Sequence, residues 1–366
     1  MNKVRILIFG DISLMHMNEK SFSYGPIMQR LIRNSDLVVG NLECPITSSK
    51  KKKPYQAVNL FADSSKLSLL NDFTAVSLAN NHIQDYGNEG IVDTIKALDA
   101  CHISHFGVGA TKNDALEPFL AQCGYMKLAI FGATRYANAN KNEWGTASDD
   151  SVALYKKIKE YKQKGYFVIV FMHWGYEYVR IPSPRERRIG HRCIDSGADF
   201  VIGSHPHIYQ GIEEYKGKSI VYSLGNAIFH SSVFEGLSFI PNDPRLFTSY
   251  AINLAVDSEL NYQVNVFGYH TSNKEIELLV KEGNERIKKD IAKISSPLQN
   301  GISWLYLKEY YSQTANISRQ NVKVRNQFQH AKRLSLKDRL ALYMQANSQD
   351  IKNRIWGLIS NLFNER

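Results

Sequence analysis

Five short apolar runs, rich in β-branched residues and each ending in polar side chains, dominate the hydropathy pattern of the chain. Val4-Arg5-Ile6-Leu7-Ile8-Phe9 precedes Gly10-Asp11, Leu37-Val38-Val39-Gly40 precedes Asn41-Leu42-Glu43, and Ala75-Val76-Ser77-Leu78 precedes Ala79-Asn80-Asn81-His82. Phe167-Val168-Ile169-Val170-Phe171 then leads to His173-Trp174-Gly175, and Asp199-Phe200-Val201-Ile202 to Gly203-Ser204-His205-Pro206-His207. Runs that do not alternate with period two suit strands covered on both faces. Between them lie helical candidates at Ile91 to Ala100 and Ser151 to Lys164 and further strands at Met126 to Phe131 and Ser219 to Tyr222. That alternation predicts an α/β fold. Ser249 to Val256 and Tyr262 to Tyr269 read as antiparallel strands added to a sheet edge, and no internal repeat interrupts the pattern.

In open α/β sheets, ligands gather beyond the carboxyl ends of the strands. Five such ends here deliver Asp, Glu, Asn and several His. His205 and His207, two apart on a loop that closes a buried strand, can turn both rings toward one point, as metal ligation needs. Each residue also has an ordinary reading. Asp11 can cap a helix, Asn80 and Asn81 can form a turn, and His173 can pack in a core satisfied by backbone. Jointly those readings cluster buried charges without partners, which costs several kcal/mol unless a cation sits among them.

The order Gly-Asp, Asn-Leu-Glu, Ala-Asn-Asn-His with Asp85, Gly87 and Gly90, His-Trp-Gly, Gly-Ser-His-Pro-His and Tyr222-Ser223-Leu224-Gly225-Asn226 closely resembles the CapA family of capsule and poly-gamma-glutamate biosynthesis proteins. The resemblance covers about residues 4 to 270. It implies an α/β fold of the calcineurin-like metallophosphoesterase type, a four-layer α/β/β/α sandwich, followed here by a C-terminal helical extension. It also implies a divalent transition metal, one or two ions of manganese, iron or zinc. Asp11 and Glu43 supply the carboxylates; Asn81, His173 and His205 complete one site, and His207 lies on the other. His82 matches the family's non-ligating histidine, which protonates a leaving oxygen. Asp85 either orients that ring or caps the next helix. Asn80 and Asn226 are candidate substrate-binding residues.

One position departs from the wider phosphoesterase pattern, whose Asp-x-His appears here as Asp11-Ile12-Ser13. A hydroxyl stands where a histidine ligand belongs, which weakens one metal position; His16 reads as a surface loop residue. The resemblance implies a metal-dependent hydrolase acting on a phosphoester in capsule, exopolysaccharide or poly-gamma-glutamate biosynthesis. Two alternatives stay open: a non-catalytic accessory protein of a polymer-synthesis complex, and a metal-dependent amide (gamma-glutamyl) hydrolase. The expected partners are an anionic substrate or polymer precursor and other capsule-synthesis proteins.

Composition adds limits. With 366 residues and 43% hydrophobic content the chain can bury a large core. Cys44, Cys101, Cys123 and Cys193 show no Cys-x-x-Cys spacing, so neither a disulfide framework nor a thiolate zinc site is indicated. The run Ile6 to Phe9 is too short for a signal sequence, and no stretch approaches the length of a membrane span; the expected location is the cytoplasm. Residues 271–366 hold 17 Lys plus Arg against 9 Asp plus Glu, so a net +8 of the chain's +10 lies there. This shift predicts a 1–270 domain and a basic, mainly helical 271–366 extension. Within it Ile351, Ile355, Leu358, Ile359, Leu362 and Phe363 recur at helical spacing, which suits a helix packed on the domain or, as the alternative, peripheral membrane contact. Lys50 to Lys53 form a run close in sequence to Glu43, suited to a solvated loop or to attracting an anionic substrate. It has no interleaved aromatics, and no nucleic acid is expected as a partner.

Overall fold

The computed structural model describes residues 3–53, 59–140, 143–230, 244–299, 301, 303, 304 and 306–315. Two sheets face each other. The first contains, in spatial order, β2 (Ser23–Tyr24), β16 (Glu275–Leu278), β15 (Tyr262–Thr271), β14 (Thr248–Val256), β1 (Val4–Ile12), β3 (Leu37–Leu42), β4 (Ala75–Ser77) and β5 (Ser104–Phe106). The second runs β12 (Ile212–Tyr215), β13 (Lys218–Val221), β11 (Phe200–Ser204), β10 (Phe167–His173), β8 (Met126–Thr134) and β7 (Phe119–Cys123). A small pair, β6 (Val108–Gly109) and β9 (Gly145–Thr146), lies apart from both.

The five apolar runs are the central parallel strands. β1, β3, β4 and β5 pair in parallel, as do β8, β10, β11 and β13, and the antiparallel strands sit to the outside. β14 extends the first sheet antiparallel to β1 and β15 pairs antiparallel with β14, as their sequence pattern predicts.

Side chains alternate between two different cores along each strand. Ile6 and Ile8 of β1 meet Ile169 and Phe171 of β10 and Ile202 of β11 between the sheets. Leu7 and Phe9 face the opposite side, with Met28 and Ile32 of α1 (Pro26–Arg33) and Ile91 and Leu98 of α2 (Gly87–Ala100). On the far side of the second sheet, Val168, Val170 and Met172 pack with Leu154 and Ile158 of α4 (Val152–Gln163) and Ile189 and Cys193 of α5 (Pro184–Asp195); α3 (Lys112–Ala115) is a single turn. The result is a four-layer α/β/β/α sandwich. Since both faces of the central strands are covered, continuous apolar runs rather than alternating ones are what these positions need.

The domain boundary expected at 270/271 falls within β15. Tyr269, His270 and Thr271 of β15 pair with Leu278, Glu277 and Ile276 of β16, so the expected cut falls inside a hydrogen-bonded hairpin. The helix that follows, α6 (Lys281–Gln299), packs against both β12 and β15. Its Ile287 and Ile291 enter the core between the sheets, and Leu298 and Tyr306 join the outer core of the second. Basic charge marks the exposed face of this helix, not a separate unit. The apolar spacing from Ile351 to Phe363 lies outside the described residues.

Candidate metal centre

The carboxyl ends of strands from both sheets converge on one buried point. Asp11 lies in β1 and Glu43 directly follows β3; His173 ends β10, and His205 directly follows β11. The segment 222–226 passes between the sheets here. Asp11 N–H donates to Gly225 O at 3.0 Å, and Leu224 N–H to Gly203 O at 3.3 Å. Both ligand-bearing strands therefore carry glycine at the closest approach. A Cβ on Gly10 meets Gly225 O at 1.9 Å, and one on Gly203 meets Tyr222 O at 2.1 Å. His205 and His207 have φ of 98° and 58°, the left-handed region that non-glycine residues enter rarely and mostly at functional sites.

Two ligand groups share Glu43. The donor atoms of Glu43, His173 and His205 all lie within 4.8 Å of one another, and so do those of Asp11, Glu43 and His207. Glu43 Oε1 is 3.5 Å from His173 Nε2 and 3.7 Å from His207 Nε2. Asn81 Oδ1 comes within 2.8 Å of His173 Nε2, which puts Asn81 in the first group. All six residues named from the sequence as candidate ligands thus lie close together at the strand ends.

The atoms around them fix the rings. Asn41 donates to Asp11 Oδ1 at 2.8 Å, and the His205 backbone N–H donates to Asp11 Oδ2 at 2.9 Å. Ser204 Oγ lies 3.0 Å from His173 Nδ1, and Asn226 Oδ1 lies 3.0 Å from His207 Nδ1. Such partners on the distal nitrogen hold an imidazole's tautomer and leave Nε2 for a ligand.

Burial decides the electrostatics. It pushes the Glu43 carboxyl well above the usual value, and the charges of Asp11, Glu177 and Asp85 push the same way. Burial also raises Asp11, against the lowering effect of His207 and of the hydrogen bonds from His205 and Asn41. His173 and His205 are held well below the ordinary imidazole value by burial and then by the neighbouring histidines. Both oxygens of Glu43 are fully buried with no hydrogen-bond partner, and so is His205 Nδ1. A carboxylate left this way costs several kcal/mol unless a proton or a cation neutralises it. With two carboxylates, an amide oxygen and three imidazoles around one point, the donor set fits a borderline transition metal.

Other sequence-derived residues fall differently. His82 Nδ1 lies 2.7 Å from Asp85 Oδ2, which also accepts from the Leu60 backbone at 2.7 Å. Asp85 does not cap α2, whose N-cap is Tyr86 with no side-chain cap bond. Asn80 is fully buried: its Oδ1 accepts from His82 and Ile83, and its Nδ2 donates to Leu42 O and Asn41. Asn226 is equally buried, held between His207 and Leu246 O. Both amides are engaged in holding the loops and the His207 ring. His16 is exposed beside His230 and ligates nothing among the described residues. Ser13 is buried with its hydroxyl unpartnered, so the Asp11 group has no imidazole where the wider pattern has one. Lys50 to Lys53 are exposed; Lys53 reaches Gln84 Oε1 at 3.1 Å, which places the run beside the His82–Asp85 turn.

Sequence reasoning missed Arg135, Tyr136 and Tyr176. Arg135 stacks over both tyrosine rings at 4.9 and 5.5 Å and donates to Tyr136 Oη, which stands 3.4 Å from His205 Nε2. The signal was present, because Arg135 and Tyr136 follow directly on β8, another apolar run in the same sheet.

The family described as bacterial capsule synthesis protein PGA_cap matches residues 5–231. The chain is 34% identical over 246 residues to the capsule biosynthesis protein CapA of Bacillus anthracis, covering 62% of this chain and 60% of that one. It is 34% identical over 210 residues to the PGA biosynthesis protein CapA of Bacillus subtilis, covering 55% of each. A probable polyglutamine synthesis accessory protein of Mycobacterium tuberculosis is 32% identical over 169 residues, or 42% of this chain and 44% of that one. The chain thus aligns with roughly half to three-fifths of the length of these relatives. Among solved structures, a novel phosphatase from Mycoplasma pneumoniae aligns at 14% identity and a TM-score of 0.44, over 73% of this chain and 94% of that one, too slight a likeness to carry an inference. The family match spans the strand ends that build the candidate metal centre, and the chain belongs to the PGA_cap family of bacterial capsule synthesis proteins.

Proposed function

We propose that the chain is a metal-dependent hydrolase of a phosphoester, acting in capsule, exopolysaccharide or poly-gamma-glutamate biosynthesis. The observation that carries the reading is Glu43, a buried carboxylate with two unpartnered oxygens among Asp11 and three imidazoles. Glu43, Asn81, His173 and His205 would hold one ion, and Asp11, Glu43 and His207 a second, weaker one. A divalent metal supplies Lewis acidity and a nucleophile at neutral pH when bound in such a site.

The chain's own groups divide the remaining work. Asp85 ties His82 Nδ1, leaving Nε2 as the ring atom that hands a proton to the leaving oxygen. Arg135, spread over two tyrosine rings at the edge of the site, offers fixed positive charge to phosphoryl oxygens. The buried walls around Tyr178 and Phe229, beside His207, limit water on that side.

Metal analysis of gently purified protein, joined to a screen of phosphomonoesters, phosphodiesters and gamma-glutamyl peptides, tests the proposal. Manganese, iron or zinc should be present, and the double change His205→Ala with His207→Ala should abolish its uptake. Turnover of the peptides alone would move the reading to an amide hydrolase. If the metal-loaded protein hydrolyses nothing, the accessory reading prevails, which the mycobacterial relative, itself a probable accessory protein, and the missing imidazole at Ser13 favour.

A further inference from the structure

A second concave surface lies away from the metal ligands. A cleft of about 620 Å³ opens between α6 and the chain around 244–248 and 270. Leu279, Ile287, Tyr209 and Pro244 give it an apolar lining, and its charged side chains are strongly biased to one sign. Asp290, its one acidic residue, is engaged by Arg180 and by Tyr209 Oη, and the Arg180 guanidinium lies 4.7 Å over the Tyr209 ring. Arg286, Lys289 and Lys293 line the same cleft, are exposed, and form no ion pair among the described residues. Arg245 adds a further cation from the opposite wall.

The spacing of these cations identifies the class of ligand. Residues 286, 289 and 293 lie three and four apart, on one face of α6, and climb about 10 Å along it at roughly 1.5 Å per residue. One phosphate or carboxylate cannot touch all three, whereas a chain with charges repeated every few ångströms can. Nucleic acid fits less well, because single-strand sites stack bases on exposed aromatic rings. Of the cleft's two aromatic rings, Tyr209 is buried beneath Arg180, and the His270 imidazole is tied through Nδ1 to Thr248 Oγ1 and Phe247 O.

We propose that this cleft binds an extended, flexible polyanion whose repeated charges are carboxylate or phosphate groups. It adjoins the metal centre through two segments. Tyr178 packs beside His207, and two residues later in each segment Arg180 and Tyr209 line the cleft. None of the six metal-centre residues lines it, so binding here depends neither on metal nor on turnover.

Anisotropy titrations with labelled poly-glutamate and labelled linear polyphosphate provide the test. The triple variant Arg286→Glu, Lys289→Glu and Lys293→Glu alters only exposed side chains, and its melting temperature should match wild type. Three exposed charge contacts are reversed at once, so its affinity should fall roughly tenfold or more. A charge-matched control, Lys127→Glu with Lys156→Glu and Lys159→Glu on exposed positions elsewhere, should bind as wild type. Wild-type binding should weaken with added salt and survive a chelator. Whichever probe binds more tightly names the charge. The proposal fails if neither probe binds, if both triple variants lose equally, or if chelation abolishes binding, which would put the polymer on the metal. An unlabelled single-stranded oligonucleotide that competes better than either probe would overturn the assignment to a chain without bases.

Discussion

Asn81 and His82 are neighbours whose side chains take different partners. The Asn81 side chain points at His173, while the His82 ring is turned onto Asp85. His82→Ala should therefore keep its metal yet lose activity. General acid catalysis contributes about 10²–10⁴-fold, and the benefit shrinks when the leaving group is stable as an anion. The loss should be large on an alkyl phosphate and small on an aryl phosphate. Elemental analysis beside the two rates checks it, and metal loss in that variant would make His82 a ligand. Asp85→Asn keeps the size of the side chain but offers the ring a weaker partner; activity should fall less than in His82→Ala, with metal content unchanged.

At the scale of elements, α6 holds the two sheets together at one edge. Edge strands expose unpaired backbone groups that proteins must cover. Here helix side chains do so for β12: Ser295 Oγ accepts from Ile212 N–H at 2.8 Å, Gln299 donates to Ile212 O at 2.9 Å, and Gln299 Oε1 accepts from Glu214 N–H at 3.2 Å. Arg187, fully buried, joins Glu213 of the same strand to Leu298 O. Ending the chain near Tyr269 would uncover Ile287, Ile291 and Leu298's neighbours together. Each such side chain contributes about 1.5–3 kcal/mol of burial, against a total stability of about 5–15 kcal/mol. That truncated protein should be insoluble, and soluble metal-binding protein would show α6 to be dispensable. Ile291→Ala alone should cost about 2–5 kcal/mol in denaturant unfolding, with metal stoichiometry kept. Gly203→Ala should do more harm, because its Cβ would press on backbone at Tyr222 and on the Trp174 ring nitrogen.

For the whole molecule, the metal centre sets two opposing pH dependences. The depressed imidazoles of His173 and His205 contribute stability above the ordinary value of about 6.5, and it is lost as pH falls through their lower folded values. The raised carboxyls of Glu43 and Asp11 act the other way. Their contribution is full below about 4 and is lost as pH rises through their folded values. A cation removes the second conflict by replacing the proton on Glu43. Metal uptake should therefore release protons, and apparent affinity should rise up to about tenfold per pH unit for each proton displaced. Calorimetric titrations in buffers of different ionisation enthalpy, with melting curves near pH 6 and pH 8, measure both. No proton release, and equal stabilisation at the two pH values, would refute this account of Glu43. Among the described residues no helix is long and apolar enough to cross a membrane.

Local sequence by itself determined the strands and the candidate ligands at their ends. Uninterrupted apolar runs require cover on both faces, and a polar residue directly after such a run must sit at a strand's carboxyl end; Asp11, Glu43, His173, His205 and His207 were legible for that reason. Only tertiary structure decided what depends on residues far apart in the chain. The amides of Asn80 and Asn226 bond to Leu42 O and Leu246 O, partners far away in the sequence or beyond its local pattern. Arg135 and Tyr136 gain meaning because β8 lies beside β10, which brings them to His205. The chain beyond Thr271 looks separate because its charge is counted residue by residue. Its apolar positions, Ile287, Ile291 and Leu298, show their role only once the sheet edges they cover have been brought together.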